Sequence, residues 1–323
     1  MRIKHMIIIG SILAFGADLD CLQAQEYPSQ PITSISPFPP GGGAETLQRT
    51  LSGLMREYIG QPVMHVNKSG GGTTVAGTAI ASAKPDGYTI GGLVSTGAVP
   101  EIYSYFAQAS YSSKDLRPII RIASFPYALY VRSDAPWQTL DQFLAAAKEK
   151  PKQLAFAHAG RGHAYQLLIV AVARKAGVEL NDLPTGGCAP VLNAVLGGHV
   201  QAGSCGASSI KEHIEAGKIR MLALQHRERL SWAPNVPTFA ELGYDLGLAP
   251  WYLSLFAPAG TNDAVIKKIH DATKTAMEDK RFTAFLEKAG AEADYADAEG
   301  VRRDIEADRK VFGGLLKDLG LTK

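Results

Sequence analysis

Two glycine-rich turns hold the residues of this chain best suited to meeting an anion. The first is Pro37-Phe38-Pro39-Pro40-Gly41-Gly42-Gly43, followed by Ala44-Glu45; the second is Gly160-Arg161-Gly162, flanked by His158 and His163. Each turn separates a short alternating or apolar stretch from an amphipathic one. Ile32 to Ser36 precedes the first, and Leu47, Leu51, Leu54, Met55 and Tyr58 follow it at helical spacing. Leu154 to Ala157 precedes the second, and a helix from about Ala164 to Ala176 follows it. A strand, a turn and a helix in that order present unpaired backbone N–H groups and the positive end of the helix dipole, so an anion is the natural guest. Glycine removes the Cβ obstruction and the prolines stiffen the approach. Taken alone, either loop also reads as a tight turn with no ligand. The first is not a nucleotide loop, because no Gly-Lys-Ser/Thr follows and the spacing is not Gly-x-Gly-x-x-Gly.

The same unit recurs at Tyr88 to Val94, followed by Ser95-Thr96-Gly97, and further apolar segments lie at Leu222–Leu224 and Leu253–Ala257. Gly177, Gly197-Gly198, Gly217 and Gly290 stand where helical patterns end. Strands alternating with helices of this length predict an α/β protein with mostly parallel sheets. At 323 residues a single core stops growing, which predicts two lobes.

Composition excludes several classes. With 46% hydrophobic and 20% charged residues, and 33 Lys+Arg against 31 Asp+Glu, the chain is neither disordered nor basic enough to track nucleic acid. Met1 to His5 is a short basic start, and Met6 to Gly16 is an apolar run shorter than the ~20 residues a membrane span requires. Residues 1–24 are therefore expected to be a signal peptide cleaved near Ala24, and the mature chain is expected in the periplasm. Asp20 before Cys21 argues against lipidation, which prefers a small neutral residue there. Cys188 and Cys205 remain; a disulfide and two buried small apolar residues are equally open readings. No His stands at ligand spacing from either, so no metal or other cofactor is expected.

Seven segments in order resemble a known family: Tyr27-Pro28-Ser29-Gln30-Pro31-Ile32, the turn Pro37 to Gly43, Gly60-Gln61-Pro62-Val63, Ser82 to Thr89, Ala194 to Val200, Val236 to Gly243 and Phe256 to Thr261. Together they resemble the extracytoplasmic receptors of tripartite tricarboxylate transporters, the Bug receptors. The resemblance spans the mature chain and implies a two-lobed periplasmic binding protein with a clamshell cleft. It also implies no catalysis, a small organic anion as ligand, and delivery to membrane permease subunits. The lobes are expected at residues 26–124 plus 228–323 and at 125–227, in a monomer.

Carried onto this sequence, the family's first ligand loop is Phe38, Pro39, Pro40, Gly41, Gly42, Gly43, Ala44 and Glu45. Ala44-Glu45 replaces a common Thr-Asp. Glu45 either stabilises the helix start or organises the loop. The second loop runs from His158 to Tyr165, with Gly160, Arg161, Gly162, His163 and Ala164 at its centre; Arg161 replaces a common Asn and His163 a common hydroxyl residue. Arg161 offers a planar fork for a second carboxylate and His163 a donor whose charge depends on pH, which favours a dianion. Alternatively, Arg161 points to solvent or pairs with an acid across the cleft. Thr96 and Gly97 form a third, hydroxyl-bearing turn. Cys205, where relatives often carry a polar residue, would remove a carboxylate from the cleft. Phe38, Phe125, Tyr127 and Tyr165 would suit a flat ring or belong to the core. The expected ligand is a dicarboxylate, with terephthalate ahead of adipate or citrate. A Cys–His hydrolase using His158, His163 and Cys205, or a ligand sensor, is the alternative.

Overall fold

Ile32–Ser36 forms the first strand (β1), and the apolar stripe after it forms α1 (Gly43–Ile59), whose Leu47, Leu51, Leu54 and Met55 are buried as helical spacing requires. The computed structural model describes residues 26–41, 43–102, 108–248, 250–289 and 291–318; the expected signal peptide, Cys21 and Gly42 lie outside them. The order continues with β2 (Val63–Asn67), α2 (Thr74–Ala81), β3 (Thr89–Leu93), α3 (Ser95–Ala98), β4 (Leu116–Phe125) and β5 (Tyr127–Arg132). Next come α4 (Leu140–Glu149), β6 (Ala155–His158), α5 (Ala164–Lys175), β7 (Asn181–Pro184), α6 (Cys188–Leu196), β8 (Ala202–Gly206), α7 (Lys211–Glu215) and β9 (Ile219–Gln225). The chain ends with β10 (Trp251–Pro258), α8 (Asp263–Glu278), α9 (Lys280–Ala289), β11 (Ala296–Asp297) and α10 (Ala298–Asp318).

Two sheets result, ordered β11-β4-β10-β3-β1-β2 and β7-β6-β8-β5-β9. They are mixed. The strand–helix units β1, β2 and β3 pair in parallel, as do β6, β7 and β8, whereas β10 and β4 pair antiparallel in the first sheet and β5 with β8 and β9 in the second. The antiparallel members are the strands that carry the chain between lobes: β4 passes through Pro126 directly into β5, and the chain returns after β9 as β10. Residues 230–248, placed by the sequence with the first lobe, pack on the second. Phe239 donates its N–H to Leu224, the Gln225 amide reaches the Leu248 carbonyl, and Leu230, Phe239 and Leu248 are buried beside the second sheet.

The C-terminal helix joins the two units. It packs on β4 and α3 of the first and on α5 of the second, where Arg174 pairs with Asp318 at 2.9 Å. Cys188 and Cys205 form a disulfide across a separation of 17 residues, tying the start of α6 to β8. Among the described residues, no helix is long and apolar enough to cross a membrane, and no cluster of three His, Cys, Asp or Glu is placed to hold a metal.

A candidate carboxylate cleft between the lobes

The loop after β1 is held in place from behind. Glu45, in the first turn of α1, is 1% exposed and accepts hydrogen bonds from the Gly41 N–H at 3.1 Å and the Asn67 amide at 3.3 Å; it also faces His65 Nε2 at 3.1 Å. Burial alone would raise its pKa, but the Gly41 N–H, Asn67, Arg49 and His65 outweigh that and hold the carboxyl below its usual range. Burial in turn holds the His65 imidazole below its ordinary pKa despite Glu45. Glu45 therefore organises the loop, and the Gly41 N–H is consumed by it rather than offered to a ligand.

The loop after β6 is fastened in the same way. His158, fully buried, sets Nδ1 against the Gly160 carbonyl at 2.9 Å and Nε2 against Asp182 at 3.2 Å, while the Gly162 N–H donates to Gln166 at 2.7 Å. His163 caps α5, its Nδ1 accepting from the Tyr165 N–H at 3.3 Å. Accepting at Nδ1 leaves the ring proton on Nε2, and protonating Nδ1 would break the cap. Desolvation, with a smaller contribution from His158, pushes the His163 pKa down to about 4, so its ring is neutral rather than a charged donor at pH 7. Because the unfolded value is near 6.5, this group contributes stability above about pH 6.5 that is lost as pH falls toward 4. Compared with His163→Asn, which can still cap α5, the wild type should lose about 2 kcal/mol between pH 7 and 4.5 in urea unfolding.

A cavity of about 400 Å³ lies between these loops. Phe38, Thr96, Gly160, Arg161, Gly162, His163 and Ala164 line it, and so do Gly72, Thr73, Val94, Ser95 and Trp251. Among the described residues, no Asp or Glu lies in this wall, and Arg161 is its one cation. Ala164 stands first in α5, where its N–H has no carbonyl partner within the helix. Pro40, Gly41, Gly43, Ala44, Glu45, Gly97, Tyr127 and Cys205 stand outside the wall. Gly97 lies behind it, where a Cβ would come within 2.6 Å of Thr73 Oγ1. Tyr127 is 1% exposed and packs its ring 5.0 Å from Tyr165, as part of the core. Cys205 is fully buried and disulfide-bonded, so it neither borders the cleft nor supplies the thiolate a Cys–His hydrolase needs.

Arg161 is 60% exposed and lies 3.6 Å from Asp182, an acid of its own lobe rather than of the opposite one. An exposed pair of this kind is worth about 0–1 kcal/mol, so the guanidinium can leave it for a stronger partner at little cost.

Two contributors escaped the sequence reading. Trp251, at the start of β10, stands 5.0 Å from Phe125, 6.2 Å from Phe38, 5.8 Å from His163 and 6.2 Å from Tyr165, so its ring touches both lobes. The other is the turn Gly70-Gly71-Gly72-Thr73, whose four residues all have positive φ, at 127°, 56°, 60° and 82°. Glycine takes such angles freely, whereas a β-branched Thr does so at a cost of about 1–3 kcal/mol. The result sets the Thr73 hydroxyl 3.3 Å from that of Thr96 in the cavity wall. The triple glycine after β2 was the available signal.

A sequence profile described as "Tripartite tricarboxylate transporter family receptor" matches residues 47–321. The chain belongs to this receptor family. It is 30% identical to Protein BugT of Bordetella pertussis, over 98% of each chain. The receptor's fold is similar to that of a TctC solute-binding protein from Polaromonas, with 28% identity, a TM-score of 0.82, and 90% and 99% of the two chains covered. It is also similar to Rpa4515 of R. palustris, solved with adipate, at 25% identity and a TM-score of 0.73, covering 91% and 99%. Solute-binding receptors of this family are periplasmic, two-lobed proteins, and the two mixed sheets described above are the lobes of this one.

Proposed function

We propose that this receptor is exported to the periplasm, captures a small dicarboxylate between its lobes, and hands it to the membrane subunits of a tripartite tricarboxylate-type transporter. The observation that carries this reading is a wall that has, among the described residues, one movable cation, hydroxyls from Ser95, Thr96 and Thr73, and no acid. One carboxylate would sit among the hydroxyls and the Ala164 N–H, and the second would draw Arg161 from Asp182. The adipate found with the R. palustris relative is a ligand of this class. Trp251 and Phe38 offer aromatic surfaces to a flat guest, which puts an aromatic dicarboxylate such as terephthalate ahead of adipate or citrate.

Titration calorimetry of the wild type and Arg161→Ala with terephthalate, adipate and benzoate tests this. A charge-assisted pair contributes about 1.5–3 kcal/mol, so the variant should bind either dicarboxylate roughly 10- to 150-fold more weakly and benzoate almost unchanged. Equal affinity of both proteins for the dicarboxylates would remove Arg161 from the site. Turnover without any melting shift would overturn the receptor reading itself.

A further inference from the structure

Beneath the cavity floor lies a buried carboxyl that no part of the capture scheme above uses. Asp308, on α10, is 2% exposed; it accepts a hydrogen bond from the Tyr252 hydroxyl of β10 at 2.9 Å and another from the hydroxyl of Ser95, which itself lines the cavity. Tyr127 of β5 faces it from the crossing between the lobes, and Asp304 stands one turn earlier on its own helix. The nearby cations face other acids, Arg227 acting on Asp304. Arg121 of β4 pairs with Asp294 and Asp304, Arg309 with Glu101 and Glu306, and Arg174 of α5 with Asp318. Among the described residues, no ion pair reaches Asp308.

A serine hydroxyl has one proton to give. When Asp308 is ionised it can only accept, so Ser95 donates downward and turns lone pairs toward the cleft, which repels an anion. When Asp308 carries a proton, the carboxylic O–H can donate to Ser95 Oγ, and the Ser95 hydrogen is freed for the ligand. We propose that Asp308 is a positioning residue that takes up one proton when a carboxylate enters the cleft, turning the Ser95 hydroxyl from an inward to an outward donor. This rests on the dicarboxylate reading above. The step balances: one solvent proton goes to Asp308, no bond in the ligand changes, and release of the ligand returns the proton.

Burial, against the hydrogen bonds from Tyr252 and Ser95, pushes the Asp308 pKa up to about 7, so the empty receptor is mostly ionised there at pH 8. The test is calorimetry of adipate and terephthalate at pH 8 in buffers of different ionisation enthalpy, with the wild type and Asp308→Asn. The wild type should take up close to one proton per ligand and lose affinity about tenfold per pH unit above 7. The variant should take up none and bind equally from pH 6 to 9. His163, with its pKa near 4, and the ligand carboxylates titrate too low to contribute at pH 8.

An infrared titration of the wild type needs no variant. Its protonated-carboxyl band should bleach near pH 7 without ligand and persist at pH 8 with adipate labelled by carbon-13 at its carboxylates. Binding without proton uptake, or the same uptake in Asp308→Asn, overturns the proposal while leaving the receptor reading standing. A band that bleaches at the same pH with and without ligand overturns it too. No heat with either acid at any pH overturns both.

Discussion

Replacing Arg121 with Ala should cost about 3–5 kcal/mol of stability, the largest single-residue effect expected in this protein. The guanidinium is 1% exposed, yet it holds two carboxylates: Asp294 at 2.7 Å and Asp304 on α10. Truncation leaves both acids, each mostly buried, without their cation, and the loss is the penalty of unpaired buried charge rather than the net value of the pair. Asp304 makes the loss depend on pH. Burial already raises its pKa, with Arg121 pulling the other way, so removing Arg121 raises it further. A raised folded-state pKa contributes stability at low pH that is lost as pH rises, so the deficit of the variant should be smaller at pH 5 than at pH 8. Urea unfolding at both values measures this. A deficit that is equal at the two pH values would mean that Asp304 stays ionised without its partner. Replacing Arg121, Asp294 and Asp304 together with apolar residues of similar size should restore much of the loss.

The second large effect belongs to the disulfide. Closing a separation of 17 residues restricts the unfolded chain by about 3 kcal/mol, so Cys188→Ala with Cys205→Ala should unfold at lower urea by roughly that amount, and reductant should do the same to the wild type. Both cysteines belong to the second lobe and neither lines the cavity. Ligand affinity of the folded double variant should therefore stay within about twofold of wild type, a difference of about 0.4 kcal/mol. A tenfold loss would mean that Cys205 shapes the cleft after all.

The strand–turn–helix units around Pro37 to Gly43 and Gly160 to Gly162 were legible because alternation, glycine and 3.6-residue spacing are local signals, and both loops stand where those signals place them. What escaped depends on tertiary direction. Tyr127 and Cys205 stand at neighbouring positions of paired strands, β5 and β8, and nothing local says which side of a sheet becomes core. The polar side chains Glu45 and Gln166 compete for the very amides that glycine exposes, and only the folded turn shows Gly41 and Gly162 already bonded. Mixed sheets escaped because the direction of a strand follows from how the chain crosses between lobes, not from its composition. Trp251 was missed because it stands at the N-terminal edge of β10, ahead of the apolar stretch that marks that strand.

That tryptophan gives the receptor a built-in optical gauge of its own state. The sequence has three tryptophans. Trp137 packs edge-on against Phe143 and Trp232 lies under the Lys211 ammonium, both away from the cavity wall. Of the three, only Trp251 meets side chains from both sides of the cleft, so a change in emission caused by a change at the cleft reports on one indole. With Trp137 and Trp232 replaced by Phe, the spectrum becomes a single-site signal. A stopped-flow trace taken on mixing with a carboxylate can then be read from that one indole without any attached dye.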